Sequence, residues 1–147
     1  MNINKIHILL ADDDEADRLL FKEALDELSF STQLSIVKNG QALMQLLTEK
    51  KDEMPDILFL DLVMPKKNGS DCLVEIKESE EMKELPVIIY SVSGFEEYAN
   101  FLCQKGAHFY LRKSNFDALK RALHYILALL SENKLTSPTK ENFLLNV

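Results

Sequence analysis

KIHILLADDDE, Lys5 to Glu15, is a short and nearly continuous apolar run that stops at four consecutive acids. A strand covered on both faces reads as such a run rather than as an alternation. The residues that follow, Ala16 to Leu28, place Leu20, Ala24 and Leu28 at i,i+4 spacing, the stripe of an amphipathic helix. The unit is therefore strand, acidic turn, helix. The same rhythm returns along the chain. Four further strands are predicted at Thr32 to Val37, Asp56 to Leu60, Val87 to Ser91 and Ala107 to Leu111, all apolar and rich in β-branched or aromatic residues. Phe116, Leu119, Leu123, Ile126 and Leu130 recur at threes and fours in a last helix. Turn signals fall between these elements: Asn39-Gly40, Asn68-Gly69, and Gly106 in a setting that suits a left-handed helix C-cap. Five parallel strands joined by right-handed helical crossovers predict an α/β fold, a three-layer sandwich with a five-stranded sheet and five helices. Ligands in such sheets bind outside the carboxyl ends of the strands.

The composition agrees with one compact domain: 147 residues, 46% hydrophobic and 28% charged. Seventeen Lys and Arg against 24 Asp and Glu give a net charge of -7, which argues against nucleic acid or an anionic membrane as a partner. The longest uncharged stretch, Leu85 to Phe95, is too short and polar to cross a bilayer, and Met1 to Leu10 lacks the features of a signal peptide. A cytoplasmic location is the expectation. Cys72 and Cys103 have no metal or disulfide spacing and read as reduced, packed thiols. Residues 1–130 are expected to form the domain and 131–147 a polar tail, in which Pro138 cannot continue the helix and for which no output domain fits. Its end, Phe143 to Val147, is apolar enough to dock, and docking and fraying stay open.

The acids at the end of the first strand carry the chemistry. A helix N-cap accounts for Asp14 or Glu15. It does not account for four acids in a row. Neighbouring carboxylates at a strand end repel and are costly to desolvate, and a hard divalent cation removes that cost, so Asp12 and Asp13 are assigned to Mg²⁺. Asp61 ends the third strand at the same sheet edge, as a nucleophile or third ligand. Ser91 ends the fourth strand and Lys113 follows the fifth, adding a hydroxyl and an ammonium. Together these residues suit phosphoryl transfer: metal and lysine neutralise the equatorial oxygens while a carboxylate attacks in line.

With these residues placed, the chain resembles the CheY-like receiver domains of two-component response regulators. The resemblance rests on Ile8-Leu-Leu-Ala-Asp-Asp13, Asp61-Leu-Val-Met-Pro-Lys-Lys-Asn-Gly69, Pro86-Val-Ile-Ile-Tyr-Ser91 and Gly106-Ala-His-Phe-Tyr-Leu-Arg-Lys113, in order and at the family's spacings over residues 5 to 130. It implies the flavodoxin-like strand order 2-1-3-4-5, a borrowed expectation, since the family's chemotaxis member is a standard example of that order. It also implies that Asp61 is the phosphoacceptor, served by a sensor histidine kinase or phosphotransfer protein. Asp12, Asp13, Asp61 and the Val63 main-chain carbonyl would hold Mg²⁺. Lys113 and Ser91 would contact the phosphoryl group, and Tyr110 would swing inward as Ser91 moves. Such a protein catalyses only its own phosphorylation and dephosphorylation and acts on a downstream protein by docking, with a homodimer among its permitted assemblies. Glu15 to Ala24 further resembles receivers that serve phytochrome-type sensor kinases.

Two departures stand out. The family has proline after its lysine, with a cis bond that orients the chain; here Ser114 follows Lys113, and a cis non-proline bond costs about 3 kcal/mol, so a different geometry is expected there. Ser114 to Asp117 reads instead as a capping box. Val63 cannot orient a hydrolytic water, so slow dephosphorylation is expected. His7, His108 and His124 lack ligand spacing and read as satisfied structural histidines. Three rivals fare worse. An aspartate-nucleophile phosphohydrolase needs D-x-D-x-[TV] on the first strand. A flavin carrier's first loop would not be acidic, and a degenerate receiver would not keep the whole set.

Overall fold

The computed structural model describes residues 5–92, 96–136 and 139–146. In chain order these form β1 (Ile6–Ala11), α1 (Glu15–Asp26), β2 (Thr32–Val37), α2 (Gly40–Glu49), β3 (Ile57–Leu60), α3 (Gly69–Glu78), β4 (Val87–Ser91), α4 (Ala99–Gln104), β5 (Phe109–Arg112) and α5 (Phe116–Ser131). Short 3₁₀ turns lie at Lys51–Glu53, Glu96–Tyr98 and Lys140–Asn142. All strand pairs are parallel, in the order β2-β1-β3-β4-β5. The predicted sheet, its order and the three layers are what the chain adopts.

Successive residues of the inner strands supply opposite faces. Ile8, Leu10, Ile57, Phe59, Ile88 and Tyr90 pack with α1 and α5, while Leu9, Leu58, Leu60, Val87 and Ile89 pack with α2, α3 and α4. Both faces are covered, so these strands read as unbroken apolar runs. The helix starts share one device. Asp14, Asn39, Asn68 and Asn115 are N-caps whose side-chain oxygens accept from the N–H groups of Asp17, Ala42, Asp71 and Ala118. The two Asn-Gly signals are thus helix starts. At α5 the cap is Asn115 and not Ser114, one residue later than the capping box predicts, because the Asn carboxamide itself reaches the Ala118 N–H at 2.9 Å.

Gly106 ends α4 at φ 104°, with its N–H donating to the Cys103 carbonyl and the Ala107 N–H to Leu102. That is the Schellman pattern, which a residue without Cβ adopts freely. Helix α5 ends the same way at Asn133, φ 56°, where the N–H groups of Asn133 and Lys134 meet the carbonyls of Leu130 and Leu129. The stop precedes Pro138, which lies outside the described residues.

The end of the tail docks. The Tyr110 N–H donates to the Phe143 carbonyl at 2.8 Å and the Leu145 N–H to the Tyr110 carbonyl at 2.9 Å, a parallel bridge centred on Leu144. Phe143 is buried in the α2–α4 side of the core. Its ring supplies the apolar contact that ties the terminus down, and its backbone covers the outer edge of β5, a row of groups otherwise open to any passing strand. Among the described residues no helix is long and apolar enough to cross a membrane.

Candidate functional site

Five of the predicted residues are presented by strand ends. β1 runs apolar to Ala11 and delivers Asp12, fully buried, with Asp13 exposed beside it. β3 delivers Asp61, β4 ends in Ser91, and Lys113 follows β5, its N–H tied to the Ser91 carbonyl at 2.7 Å. Gly69 lets the start of α3 come close: a Cβ there would fall against the Asp61 carbonyl oxygen.

The carboxylate of Asp61 is bonded at both oxygens. Oδ1 accepts from the Ser91 hydroxyl at 3.0 Å and the Val63 N–H at 3.3 Å, and Oδ2 accepts from Lys113 Nζ at 2.9 Å. Lys113 Nζ also lies 2.9 Å from Asp12 Oδ2 and 2.8 Å from Asp17 Oδ2. Burial opposes the lysine's charge, but its close contacts with the Asp17, Asp12 and Asp61 carboxylates outweigh it and hold its pKa above the ordinary value. Burial raises the Asp12 carboxyl, against the pull of Lys113 and of the Asp14 N–H.

Asp12, Asp13 and Asp61 bring carboxylate oxygens within 4.8 Å of one another. Asp12 Oδ2, buried and in ion-pair contact with Lys113, has no hydrogen-bond partner among the described residues. A buried, under-satisfied oxygen in a set of hard donors fits a divalent metal. The loop after Asp61 is tight, for the Lys67 N–H donates to the Pro65 carbonyl around Lys66 at φ 71°, a strained γ-turn.

Of the other expectations, those for Tyr110 and His108 meet a different structure. The Tyr110 ring, expected to swing inward, already lies inward and its hydroxyl donates to the Val92 carbonyl at 3.0 Å. Strand alternation points it at the α2–α4 side, and the docked tail grips its backbone. None of the described peptide bonds is cis, Lys113 to Ser114 included, and the lysine reaches Asp61 all the same. His7 Nε2 meets Ser35 Oγ at 2.9 Å and His124 packs on Phe30, but the His108 Nδ1 is buried with no hydrogen-bond partner among the described residues. That histidine is not satisfied among the described residues. Cys72 and Cys103 are free, and burial pushes the Cys72 thiol up to about 11.

Two site residues are absent from the sequence reading. Asp17 joins Lys113, and the Arg18 guanidinium donates to the Asp12 carbonyl at 3.2 Å. The available signal was spacing, since Asp17 lies one helical turn beyond Asp13.

Comparison with known proteins gives the family and the fold. The family profile of the response regulator receiver domain matches residues 8–124. The response regulator Rcp1 of Synechocystis sp. is 32% identical over 111 residues, covering 73% of this chain and 76% of Rcp1. Among solved structures, the phosphorylated cyanobacterial phytochrome response regulator RcpA superposes with a TM-score of 0.80 at 28% identity, over 92% of this chain and 100% of RcpA. The Mn²⁺-bound form of Rcp1 gives 0.75 at 30% identity, over 90% and 99%.

Proposed function

The chain belongs to the response regulator receiver domain family, and from that premise we propose that it is a phosphorylation-controlled switch in two-component signalling, with Asp61 as the phosphoacceptor. The observation that carries the reading is the Asp61 carboxylate, held between the Ser91 hydroxyl and Lys113 Nζ beside Asp12 and Asp13. An Asp61 oxygen attacks the phosphorus of a phosphohistidine on a sensor histidine kinase or phosphotransfer protein. The O–P bond forms as the P–N bond breaks, and the imidazole leaves with the electron pair. Asp12, Asp13, Asp61 and the Val63 carbonyl would hold Mg²⁺, which supplies positive charge to the transferring oxygens. Lys113 turns its ammonium from the Asp61 carboxylate to the phosphoryl oxygens, and Ser91 gives its hydroxyl to one of them.

The added charge of roughly two units at Asp61 withdraws Ser91 from its present bond and disturbs the neighbouring Val92 carbonyl, which holds Tyr110. Ser91 and Tyr110 are thus the switch, read by a downstream protein or a second copy of the chain at the α4–β5–α5 face. The protein turns over no external substrate and works in the cytoplasm, without nucleic acid or membrane as partner. Likeness to RcpA and the run Glu15 to Ala24 favour a phytochrome-type sensor kinase as donor.

Intact-mass spectrometry after incubation with acetyl phosphate, with and without Mg²⁺, tests the reading. One phosphoryl adduct is expected on the wild type with Mg²⁺ and none on Asp61→Asn. An adduct that persists on Asp61→Asn would remove Asp61 as the acceptor.

A further inference from the structure

The Lys113 ammonium faces three carboxylates: it donates hydrogen bonds to Asp61 and Asp17 and is ion-paired with Asp12. Two of these belong to the metal-binding set. Once a divalent cation draws on Asp12 and Asp61, the one carboxylate left to Lys113 alone is that of Asp17. Asp17 stands in the first turn of α1, where its own N–H is bonded to the Asp14 cap, so its backbone is fixed independently of the loops around Asp61. Its side chain, about one third exposed, meets an ammonium only 10% exposed, and the contact spans 96 residues of sequence.

We propose that Asp17 is the positioning residue for Lys113, a side-chain tether from α1 that keeps the ammonium over the phosphoacceptor. Ser114 gives this tether its purpose. A proline there would stiffen the chain behind the lysine by locking its own φ and restricting the residue before it. Serine does neither, and the long lysine stem, with its four carbons, is free to wander unless its head is held. Asp17 holds it at a distance of 2.8 Å.

The proposal rests on the phosphoacceptor reading, and two independent readouts separate their failures. The first is the rate of acetyl phosphate labelling as a function of Mg²⁺ for wild type, Asp17→Asn, Asp17→Glu and the exposed-surface control Asp26→Asn. Asp17→Asn is expected to lower the rate at saturating Mg²⁺ about fivefold or more while leaving the half-saturating Mg²⁺ concentration within about twofold, and Asp17→Glu to recover part of the loss, as expected for a group that orients rather than binds. The second is the rate of reductive methylation of Lys113 without phosphodonor, followed by peptide mass spectrometry, expected to rise severalfold in Asp17→Asn and not in Asp26→Asn. An unchanged saturating rate, or a loss that extra Mg²⁺ restores, overturns the tether. So does unchanged Lys113 reactivity. A wild type that takes no label at any Mg²⁺ concentration would sink the phosphoacceptor reading, and the methylation rates would then decide the tether by themselves.

Discussion

Val63 stands two residues beyond Asp61, 57% exposed, and offers only its backbone to the site. A side chain without donor or acceptor cannot align a water for attack on an aspartyl phosphate, so a long-lived phosphoprotein is expected. Val63→Asn should shorten its half-life by roughly tenfold or more, because a polar group placed there could orient the water. Loss of phosphoprotein with time after removal of the donor, read by mass spectrometry, checks it. Equal half-lives would mean that access to the acyl phosphate, and not orientation of water, sets the rate. At the same scale the sequence was informative about charge and silent about partnership. Four acids at a strand end pointed to a cation, whereas the meeting of Lys113 with Asp17 requires the loop between β5 and α5 to be brought to the first turn of α1, 96 residues away.

The element most changed by folding is the tail. Its composition left docking and fraying equally open, and the structure shows residues 143–145 laid along β5 with the Phe143 ring buried. Phe143→Ala leaves a cavity in the α2–α4 side of the core and should cost about 3 kcal/mol, which for a domain of this size lowers the thermal midpoint by roughly 9 °C. Leu144→Ala, at an exposed side chain, should cost well under 1 kcal/mol. Thermal unfolding by circular dichroism of the two variants separates a docked strap from a frayed end, since fraying predicts no loss for either. Elements whose signals are local were legible. The apolar runs and the i,i+4 stripes gave every strand and both helices they were used to predict, to within two residues at each end. The α5 start was off by one because Ser114 and Asn115 are both good caps, and only the orientation of the chain leaving Lys113 chooses between them.

For the molecule as a whole, His108 sets a dependence on pH. Burial, aided by the Lys77 ammonium, pushes its imidazole down to about 4, from an ordinary value near 6.5. Between those two values the unfolded chain binds a proton that the folded chain refuses. Stability therefore falls as pH drops from about 6.5 toward 4, and is unaffected by this group above 6.5. The loss should reach about 2 kcal/mol after allowance for the partial exposure of the ring. Lys77, which faces it, donates instead to the carbonyls of Lys83 and Leu85 and gives the imidazole no acceptor. Urea unfolding at pH 7 and pH 5 should show a smaller difference for His108→Gln than for the wild type. An identical difference would assign the acid sensitivity to the carboxylates.

The sequence alone determined the fold class, the receiver family's residues and the edge of the sheet where they meet, because strand and helix periodicity, turn residues and strand-end acids are properties of neighbours along the chain. Tertiary structure decided what depends on approach between distant segments. It placed Asp17 on Lys113, seated Phe143 against the core, turned Tyr110 inward under the tail and left the His108 Nδ1 without a hydrogen-bond partner among the described residues. Each of these is a contact between elements whose relative positions are fixed by core packing, and no residue carries that information in its immediate neighbours.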